Sequence, residues 1–464
     1  MDKYNRLLEI FDEIVKIPRD SSKEDKIAKY VCDFAENLGL EYRIDDYYNV
    51  LVKRKADSGM ENEKSLMFQA HLDMVCEKTI DSNHNFDTDP IEVIKKEDIY
   101  TAKDTTLGAD DGIGVSMALL LMEDKDIKLP LTYFLFTTNE ETGMDGAKNV
   151  DLSDVNVDYM INLDSEEEDS IIIGCAGGET ITFEKEFNTT TLSDNIYKLN
   201  INGLKGGHSG VDIDKGRLSS NYLGAYILSK LNDVKLISFV GGTKTNAIPN
   251  NSEIVFSTDN VDKNIIDSII EELEITEEDK NINITIEEIN GTFDSLSIED
   301  SNDIISLIMN LKQNVIYKST FVDTSGNIGI IKLDKGKIVL LESLRSNINS
   351  KLEEVREDNI KLATSLGFKN TIDEGYPGWD YDYNSELLKK YVSSYKETHD
   401  GNEPIISSIH AGLECGLLKN KISGDTEIIS IGPTLEDVHT VDETLYLDSC
   451  KKLINTLYNF IEKY

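Results

Sequence analysis

The sequence predicts an α/β protein with a main domain, a mixed and largely parallel sheet sandwiched by helices, and an inserted α+β domain. Short apolar runs of strand length alternate with helical patterns at both ends of the chain. The 464 residues exceed one ordinary domain, so two domains are expected. The alternation changes character between residues 186 and 383, which indicates an insertion into a main domain of residues 1–185 and 384–464.

Composition excludes several classes of protein. The net charge of -40 excludes a general nucleic-acid binder, because phosphate contacts need clustered Lys and Arg, and it disfavours anionic membranes. The five cysteines form no C-x-x-C pair, which favours a reducing compartment over a disulfide framework. No apolar signal region and no run of about 18 apolar residues occurs, so we expect a cytoplasmic protein.

The first elements are two helices and a strand pair. Apolar residues at helical spacing predict a helix over residues 4–17. Ser21 and Glu24 have the spacing of a capping box that opens a second helix, which Gly39 ends. Residues 42–53 have the pattern of two strands around a turn.

Residues 65–70 form an apolar run that leads directly into His71 and Asp73. Residues two apart share one face of a strand, so both side chains can point into one cleft, with the imidazole as a metal ligand and the aspartate beside it. The alternative is a core histidine next to a surface aspartate.

An acidic pair, Asp110 and Asp111, lies in the glycine-rich turn at 107–114. The two carboxylates repel, and the turn offers no counter-charge, so it suits a hard or borderline cation. Taken alone, such a turn is more often simply solvated.

A second acidic pair, Glu140 and Glu141, follows the buried strand predicted at 131–136. Adjacent glutamates point to different sides, so one can bind a metal while the other transfers protons. The alternative is a solvated pair of glutamates at a strand end. This alternative is disfavoured because the preceding strand is almost fully apolar.

Two more apolar strands, at 159–163 and 427–432, lead to an aspartate and a histidine. Ligands of open α/β sheets bind beyond the carboxyl ends of strands. The metal-type residues that lie at such ends or open a helix are His71, Asp110, Glu141, Asp164 and His439. This set suits zinc, or manganese or cobalt, and it is large enough for two ions if one carboxylate bridges them.

The insertion carries its own strand pattern at 197–203 and a helix at 218–231, and a faint repetition indicates two related α+β halves. His208 lies in the glycine-rich segment 206–210. It is either a plain loop histidine or a donor to a substrate or an oxyanion.

Seven segments in order resemble the motifs of the di-zinc aminopeptidase/aminoacylase superfamily, and they cover nearly the whole chain. They look most like those of the branch that hydrolyses Xaa-His and other dipeptides. The segments are HLD at 71–73, LGADDG at 107–112, NEETGMDGA at 139–147, NLD at 162–164, GGHSG at 206–210, HAGLECG at 410–416 and VH at 438–439.

The resemblance implies a role for each predicted ligand. One zinc would be held by His71, Asp110 and Asp164, and the other by Asp110, Glu141 and His439. Asp110 would therefore bridge the two ions. In the resembling family the bridging aspartate is followed by a cis peptide bond, so we expect one at Asp110–Asp111.

The resemblance also implies the groups that act beside the metals. Asp73 would orient His71. Glu140 would be the general base for the attacking water and then the proton donor to the leaving amine.

The inserted domain is implied to be a lid that grips the substrate. His208 would stabilise the oxyanion, and Asn246 and Arg345 would hold the substrate, Arg345 through its C-terminal carboxylate. Asn250 departs from the pattern, because the branch usually has a basic residue there. The alternative for Arg345 is a surface pair with surplus acid, worth about 0–1 kcal/mol.

We therefore expect a di-metal dipeptidase acting on short peptides, as a monomer or homodimer. The alternatives are a tripeptidase, an N-acyl amino-acid hydrolase of the same superfamily, or an inactive metal-binding paralogue that serves as a binding module. Glu140 disfavours the last, since a binding module needs no base beside its ligands. A serine hydrolase is excluded because the segment at 206–210 lacks G-x-S-x-G spacing.

Overall fold

The computed structural model describes residues 2–261, 265–273, 275–373 and 375–464, which form two compact units. Unit 1 comprises Met1–Gly174, Tyr381–Ser408 and Leu413–Tyr464, and unit 2 comprises Cys175–Asp380 and Ile409–Gly412. The boundaries predicted from the sequence lie at 185/186 and 383/384. None of the helices in the described ranges has both the length and the apolar character that crossing a membrane requires.

Helices occur in both units. They are α1 Lys3–Ile14, α2 Asp25–Leu38, α3 Ala109–Glu123, α4 Glu140–Gly143, α5 Asp145–Asn149, α6 Ser220–Ser229, α7 Ile265–Glu272, α8 Ile298–Asn310, α9 Asn349–Ser365, α10 Glu386–Thr398, α11 Glu414–Lys419 and α12 Leu447–Glu462. Short 3₁₀ turns span Ile213–Lys215 and Glu277–Asp279.

Strands also occur in both units. They are β1 Glu41–Ile44, β2 Val50–Arg54, β3 Leu66–His71, β4 Val93–Lys95, β5 Ile99–Ala102, β6 Thr132–Thr137, β7 Tyr159–Asn162, β8 Ser170–Cys175, β9 Gly177–Glu186, β10 Thr190–Leu192, β11 Ile196–Asn202, β12 Gly207–His208, β13 Lys235–Gly241, β14 Ala247–Ile248, β15 Ser252–Ser257, β16 Asn283–Glu288, β17 Phe293–Ser295, β18 Asn314–Lys318, β19 Val322–Asp334, β20 Lys337–Ser346, β21 Lys369–Ile372, β22 Ile405–Ile409, β23 Glu427–Ser430, β24 Leu435–Glu436 and β25 Thr444–Tyr446.

The main sheet of unit 1 is mixed and has a parallel centre. Its strand order is β1-β2-β6-β3-β7-β23-β8-β22. Strands β6, β3, β7 and β23 run parallel. Strand β2 pairs antiparallel with β6, β1 pairs antiparallel with β2, and β8 pairs antiparallel with β23. Parallel strands end at the same edge of a sheet, so the residues that follow β3, β6 and β7 are brought together there. The predicted α/β fold with a largely parallel sheet is confirmed.

Burial explains why these short runs become strands. Every residue of β3, β6 and β7 is buried, and Phe68 stacks on Phe134 with ring centroids 5.7 Å apart. Helix α1 adds one apolar face to the same core, and α3 is buried almost all round, so its apolar composition needs no amphipathic pattern.

The predicted capping box is wrong. Helix α2 begins at Asp25, and Glu24 occupies its N-cap position without a side-chain capping bond. The Glu24 carboxylate instead accepts hydrogen bonds from the backbone N–H groups of Ser22 and Asn139, both at 2.9 Å. Ser21 Oγ donates to Asp73 at 2.8 Å. Contacts with Asn139 and Asp73, which are distant in sequence, therefore replace the predicted capping bonds.

Unit 2 is built on an antiparallel sheet with strand order β16-β11-β15-β13-β19-β20-β9-β21, and β18 also pairs with β19. Apolar residues of the sheet form one core with those of α6, α8 and α9. A carboxyl group lies inside this unit: Glu342 on β20 has no exposed surface, and Asn359 Nδ2 donates to its two oxygens at 2.9 and 3.0 Å.

Glu342 makes the stability of unit 2 depend on pH. Burial raises the pKa of Glu342 to about 8, the Asn359 bond lowers it and nearby Glu179 raises it further. As pH rises from about 4.5 to about 8, the unfolded chain releases a proton that the folded chain keeps, so the free energy of unfolding falls in this window.

We predict that Glu342→Gln stabilises unit 2 at pH 8 by roughly 1–4 kcal/mol and changes stability little at pH 5, because the amide cannot ionise. Urea unfolding followed by fluorescence of Trp379, the buried single tryptophan, reports on this unit. Glu357→Gln on the exposed side of α9 is the matched control. Parallel pH profiles for wild type and Glu342→Gln would contradict the prediction.

Candidate functional site

The metal-type residues predicted from the sequence come together in unit 1. His71 ends β3, Asp164 follows β7, Asp110 lies in the first turn of α3, Glu141 lies in α4, and His439 lies in the loop between β24 and β25. Their donor atoms form two groups of three in which every pair of atoms lies within 4.8 Å.

Asp110 belongs to both groups. Its Oδ1 lies 3.1 Å from Nε2 of His71, and its Oδ2 lies 3.0 Å from Nε2 of His439. On the first side, His71 Nε2 is also 3.3 Å from Oδ1 of Asp164, and on the second, His439 Nε2 is 2.9 Å from Oε2 of Glu141. One carboxylate thus faces two imidazoles, each of which has a further carboxylate.

The electrostatics of this cluster favour positive charge. Hydrogen bonds to Asp110 and Glu141 raise the pKa of His439 to about 11. Burial raises the pKa of Asp164 to about 6, since its charged form loses hydration. Imidazole nitrogens and carboxylate oxygens at this spacing fit divalent zinc, manganese or cobalt, so the residues present suit a metal pair.

Asp73 links the His71 strand to α4. Its Oδ1 lies 3.5 Å from Nδ1 of His71, and its carboxylate accepts from the backbone N–H groups of Glu140 and Glu141 at 3.0 and 3.2 Å. Burial would raise the pKa of Asp73, but the interactions with His71 and Ser21 outweigh it and the pKa is lowered. One carboxylate therefore lies beside the His71 imidazole and accepts hydrogen bonds from the backbone of both glutamates.

Glu140 lies beside the cluster. It is half-buried, and one of its oxygens is within 4.8 Å of donor atoms of His71 and Glu141. Asn139, with φ of 57°, turns the chain from β6 into α4 and so places the two glutamates side by side. Burial raises the pKa of Glu140 above its ordinary value, and the carboxylates of Asp164 and Glu414 add to the effect of burial.

The acidic pair in the glycine-rich turn is divided between two tasks. The Asp110–Asp111 peptide bond is cis, as predicted. Asp110 faces the histidines, whereas Asp111 turns inward and accepts from the backbone N–H groups of His71 and Gly114 at 3.1 and 3.2 Å. A Cβ on Gly114 would lie 2.1 Å from Asp111 Oδ1, so this turn needs glycine there.

His208, Asn246 and Arg345 lie in unit 2. Nδ1 of His208 accepts from the backbone N–H groups of Gly210 and Val211 at 3.2 Å, which leaves the proton of the neutral ring on Nε2. Burial lowers the pKa of His208, and the Arg345 charge lowers it further. The Asn246 side chain is exposed.

Arg345 is a buried cation with an unpartnered donor. Its residue exposure is 8%, Nη1 donates to the Tyr376 hydroxyl at 2.7 Å, and Nε has no partner. Within the part of the chain that the structure describes, no carboxylate pairs with Arg345, so the alternative of a surface ion pair is not observed.

Sequence reasoning assigned no role to His410, which lies in the same unit. Its Nε2 is 2.7 Å from Oγ of Ser325, and its Nδ1 is 3.0 Å from Oδ1 of Asn347. Burial and then the Arg345 charge lower the pKa of His410 to about 4, so the ring is neutral near pH 7. The motif at 410–416 pointed to this segment of the chain, but a motif alone does not show which of its side chains has a functional role.

A buried polar row was also missed in unit 1. Glu414 Oε2 accepts from Thr137 Oγ1 at 2.6 Å and from Gln69 Nε2 at 2.7 Å, and Gln69 Oε1 accepts from Asn162 Nδ2 at 2.6 Å. Gln69 and Asn162 stand opposite each other in β3 and β7 and precede His71 and Asp164 by two residues. The row thus lies one layer beneath two of the metal-type residues.

Comparison with known proteins shows the family of the chain. The model of peptidase family M20/M25/M40 matches residues 67–463. The chain belongs to this family. The cytosol non-specific dipeptidase of Escherichia coli K12 is 34% identical over 459 residues, which cover 96% of this chain and 94% of that protein.

Two solved structures resemble nearly the whole chain. Aminoacylhistidine dipeptidase from Vibrio alginolyticus has a TM-score of 0.92 and 33% identity, covering 99% of this chain and 96% of its own. A tripeptidase from Staphylococcus aureus has a TM-score of 0.57 and 16% identity, covering 99% and 98%, and shows only the shared fold. The resemblance predicted from the seven motifs is confirmed.

Proposed function

We propose that this M20 family member is a cytoplasmic di-metal dipeptidase that hydrolyses Xaa-His and other dipeptides. The observation that carries the proposal is Asp110, whose two oxygens face His71 and His439 within two overlapping donor groups. The similarity to the Escherichia coli and Vibrio alginolyticus dipeptidases supports the substrate class. Unit 1 is the catalytic domain and unit 2 the lid in this proposal.

Each donor group would hold one ion. His71, Asp110 and Asp164 would bind the first, and Asp110, Glu141 and His439 the second, with zinc as the first choice and manganese or cobalt as alternatives. When bound, such a pair polarises the scissile carbonyl and makes water more acidic.

The chain itself supplies the proton transfer. Glu140, beside His71 and Glu141, takes a proton from the attacking water and returns it to the leaving amine. Asp73 keeps the His71 ring oriented and, through two backbone N–H groups, holds Glu140 in place.

Unit 2 supplies the groups that bind the ends of a short peptide. Arg345, whose Nε has no partner, takes the free C-terminal carboxylate, and the exposed amide of Asn246 also binds the substrate. The Nε2–H group of neutral His208 donates to the oxyanion. A tripeptidase, an N-acyl amino-acid hydrolase and an inactive binding module are the alternatives that substrate tests would separate.

We predict that Glu140→Gln retains about two divalent ions per chain but loses on the order of 10²–10⁴-fold in kcat, because only the proton acceptor is removed. Glu141→Gln should lose metal, since it removes a donor. Metal analysis and dipeptide hydrolysis are measured on both variants, with the wild type tested before and after chelation and after return of zinc, manganese or cobalt. Near-normal turnover of Glu140→Gln, or an active wild type free of metal, would contradict the assignment.

We also predict that Arg345 makes the enzyme select free carboxyl termini. Arg345→Ala should lower kcat/KM for a dipeptide, because misplacement of the scissile carbonyl by about 1 Å lowers the rate roughly 10²-fold. The variant should also show a smaller ratio between kcat/KM for that dipeptide and kcat/KM for its C-terminal amide. Arg356→Ala, which removes a guanidinium paired with Glu179 on the same unit, is the matched control. Equal kcat/KM values for dipeptide and amide in the wild type would refute the carboxylate clamp.

A further inference from the structure

We propose that Arg19 and Glu443 are positioning residues that hold the backbone around Asp110 and thereby set the placement of both metal ions. The inference rests on the proposed metal site. Neither residue is among the donors themselves, and both are almost completely buried, with exposures of 1% and 2%.

Glu443 binds the start of α3 through a row of consecutive N–H groups. Its Oε2 accepts from Leu107 and Gly108 at 2.8 and 2.9 Å, and its Oε1 accepts from Ala109 and Asp110 at 2.7 and 3.3 Å. The first N–H groups of a helix have no partner within it, and a carboxylate is a strong acceptor for them. The last of these donors is the N–H of the shared carboxylate residue itself.

Arg19 binds the same turn from its carbonyl side. Its Nη1 donates to the carbonyl oxygens of Leu72 and Asp73 at 3.0 and 2.7 Å, and its Nη2 donates to the carbonyl oxygen of Gly108. A Cβ on Gly108 would lie 2.6 Å from Nη2 of Arg19, so glycine at this position makes room for the guanidinium. The cation thereby ties the segment after His71 to the turn before Asp110.

Together the two side chains join three donor-bearing segments. Arg19 connects the segment after His71 to the turn before Asp110. Glu443 lies four residues after His439, so its bonds connect the same turn to the segment that carries His439. Since the Asp110 oxygens face one histidine on each side at 3.1 and 3.0 Å, a small shift of its backbone would alter both donor groups.

The test compares Glu443→Gln with Glu436→Gln. The first keeps the side-chain size but points an NH₂ group at backbone donors, whereas the carboxylate of Glu436 is exposed and accepts from the Tyr446 hydroxyl at 2.7 Å. Cobalt(II) titration, followed by calorimetry and visible absorption, should show about 10–100-fold weaker binding and a changed spectrum for Glu443→Gln only. Its kcat should fall while KM stays within about twofold of the wild type.

A second pair of variants preserves charge. Arg19→Lys keeps the positive charge but loses the planar guanidinium that donates both to the segment after His71 and to Gly108. Arg43→Lys, at the exposed ion pair with Asp154, is its control. Arg19→Lys should weaken cobalt binding in the same direction, and Glu443→Asp replaces Glu443→Gln if the latter does not fold.

The outcomes separate this inference from the proposed function. If the wild type binds two cobalt ions and the Glu443 and Arg19 variants match its affinity and spectrum while losing only thermal stability, both residues are merely structural and the inference is wrong. If the wild type binds no pair of ions, the proposed metal site is wrong as well. Weaker binding with a changed spectrum in both variants, and in neither control, supports the positioning role.

Discussion

The site depends on one carboxylate, that of Asp110, which lies between the imidazoles of His71 and His439. Burial would raise its pKa, but the hydrogen bonds to His439 and His71 outweigh that effect and lower it, so the group stays ionised. A buried anion of this kind is stable only with positive charge on both sides, which protonated histidines or two cations can supply. The surrounding fold places one imidazole on each side of Asp110, where positive charge is needed.

The parallel centre of the unit 1 sheet explains how distant parts of the sequence reach this carboxylate. Strands β3, β6 and β7 end at one edge, so His71, the glutamate pair and Asp164 converge without long loops. The charged groups then need support from beneath and behind. Burial would otherwise leave backbone and side-chain groups around the site unpaired. They are bound by the polar row of Glu414 and Gln69, by the carboxylate of Asp73, and by Arg19 and Glu443.

Much of this could be predicted from the sequence, because apolar strands that end in His, Asp or Glu have a pattern that local burial preserves. The support could not. Glu443 is one of 87 acidic residues, and nothing in its neighbourhood distinguishes a carboxylate that binds four backbone N–H groups from one on the surface. Glu24 had the spacing of a cap, yet it binds Asn139, which is distant in sequence. Such roles depend on tertiary contacts rather than on periodicity.

The central claim, two ions that share Asp110, is tested most directly by electron paramagnetic resonance of the manganese-loaded protein. A carboxylate that bridges two manganese(II) ions couples their spins, so the account predicts the spectrum of an exchange-coupled pair in the wild type. Asp110→Asn should replace it by signals of separate ions or remove binding. A wild-type spectrum of isolated manganese(II), unchanged at full loading, would contradict the account.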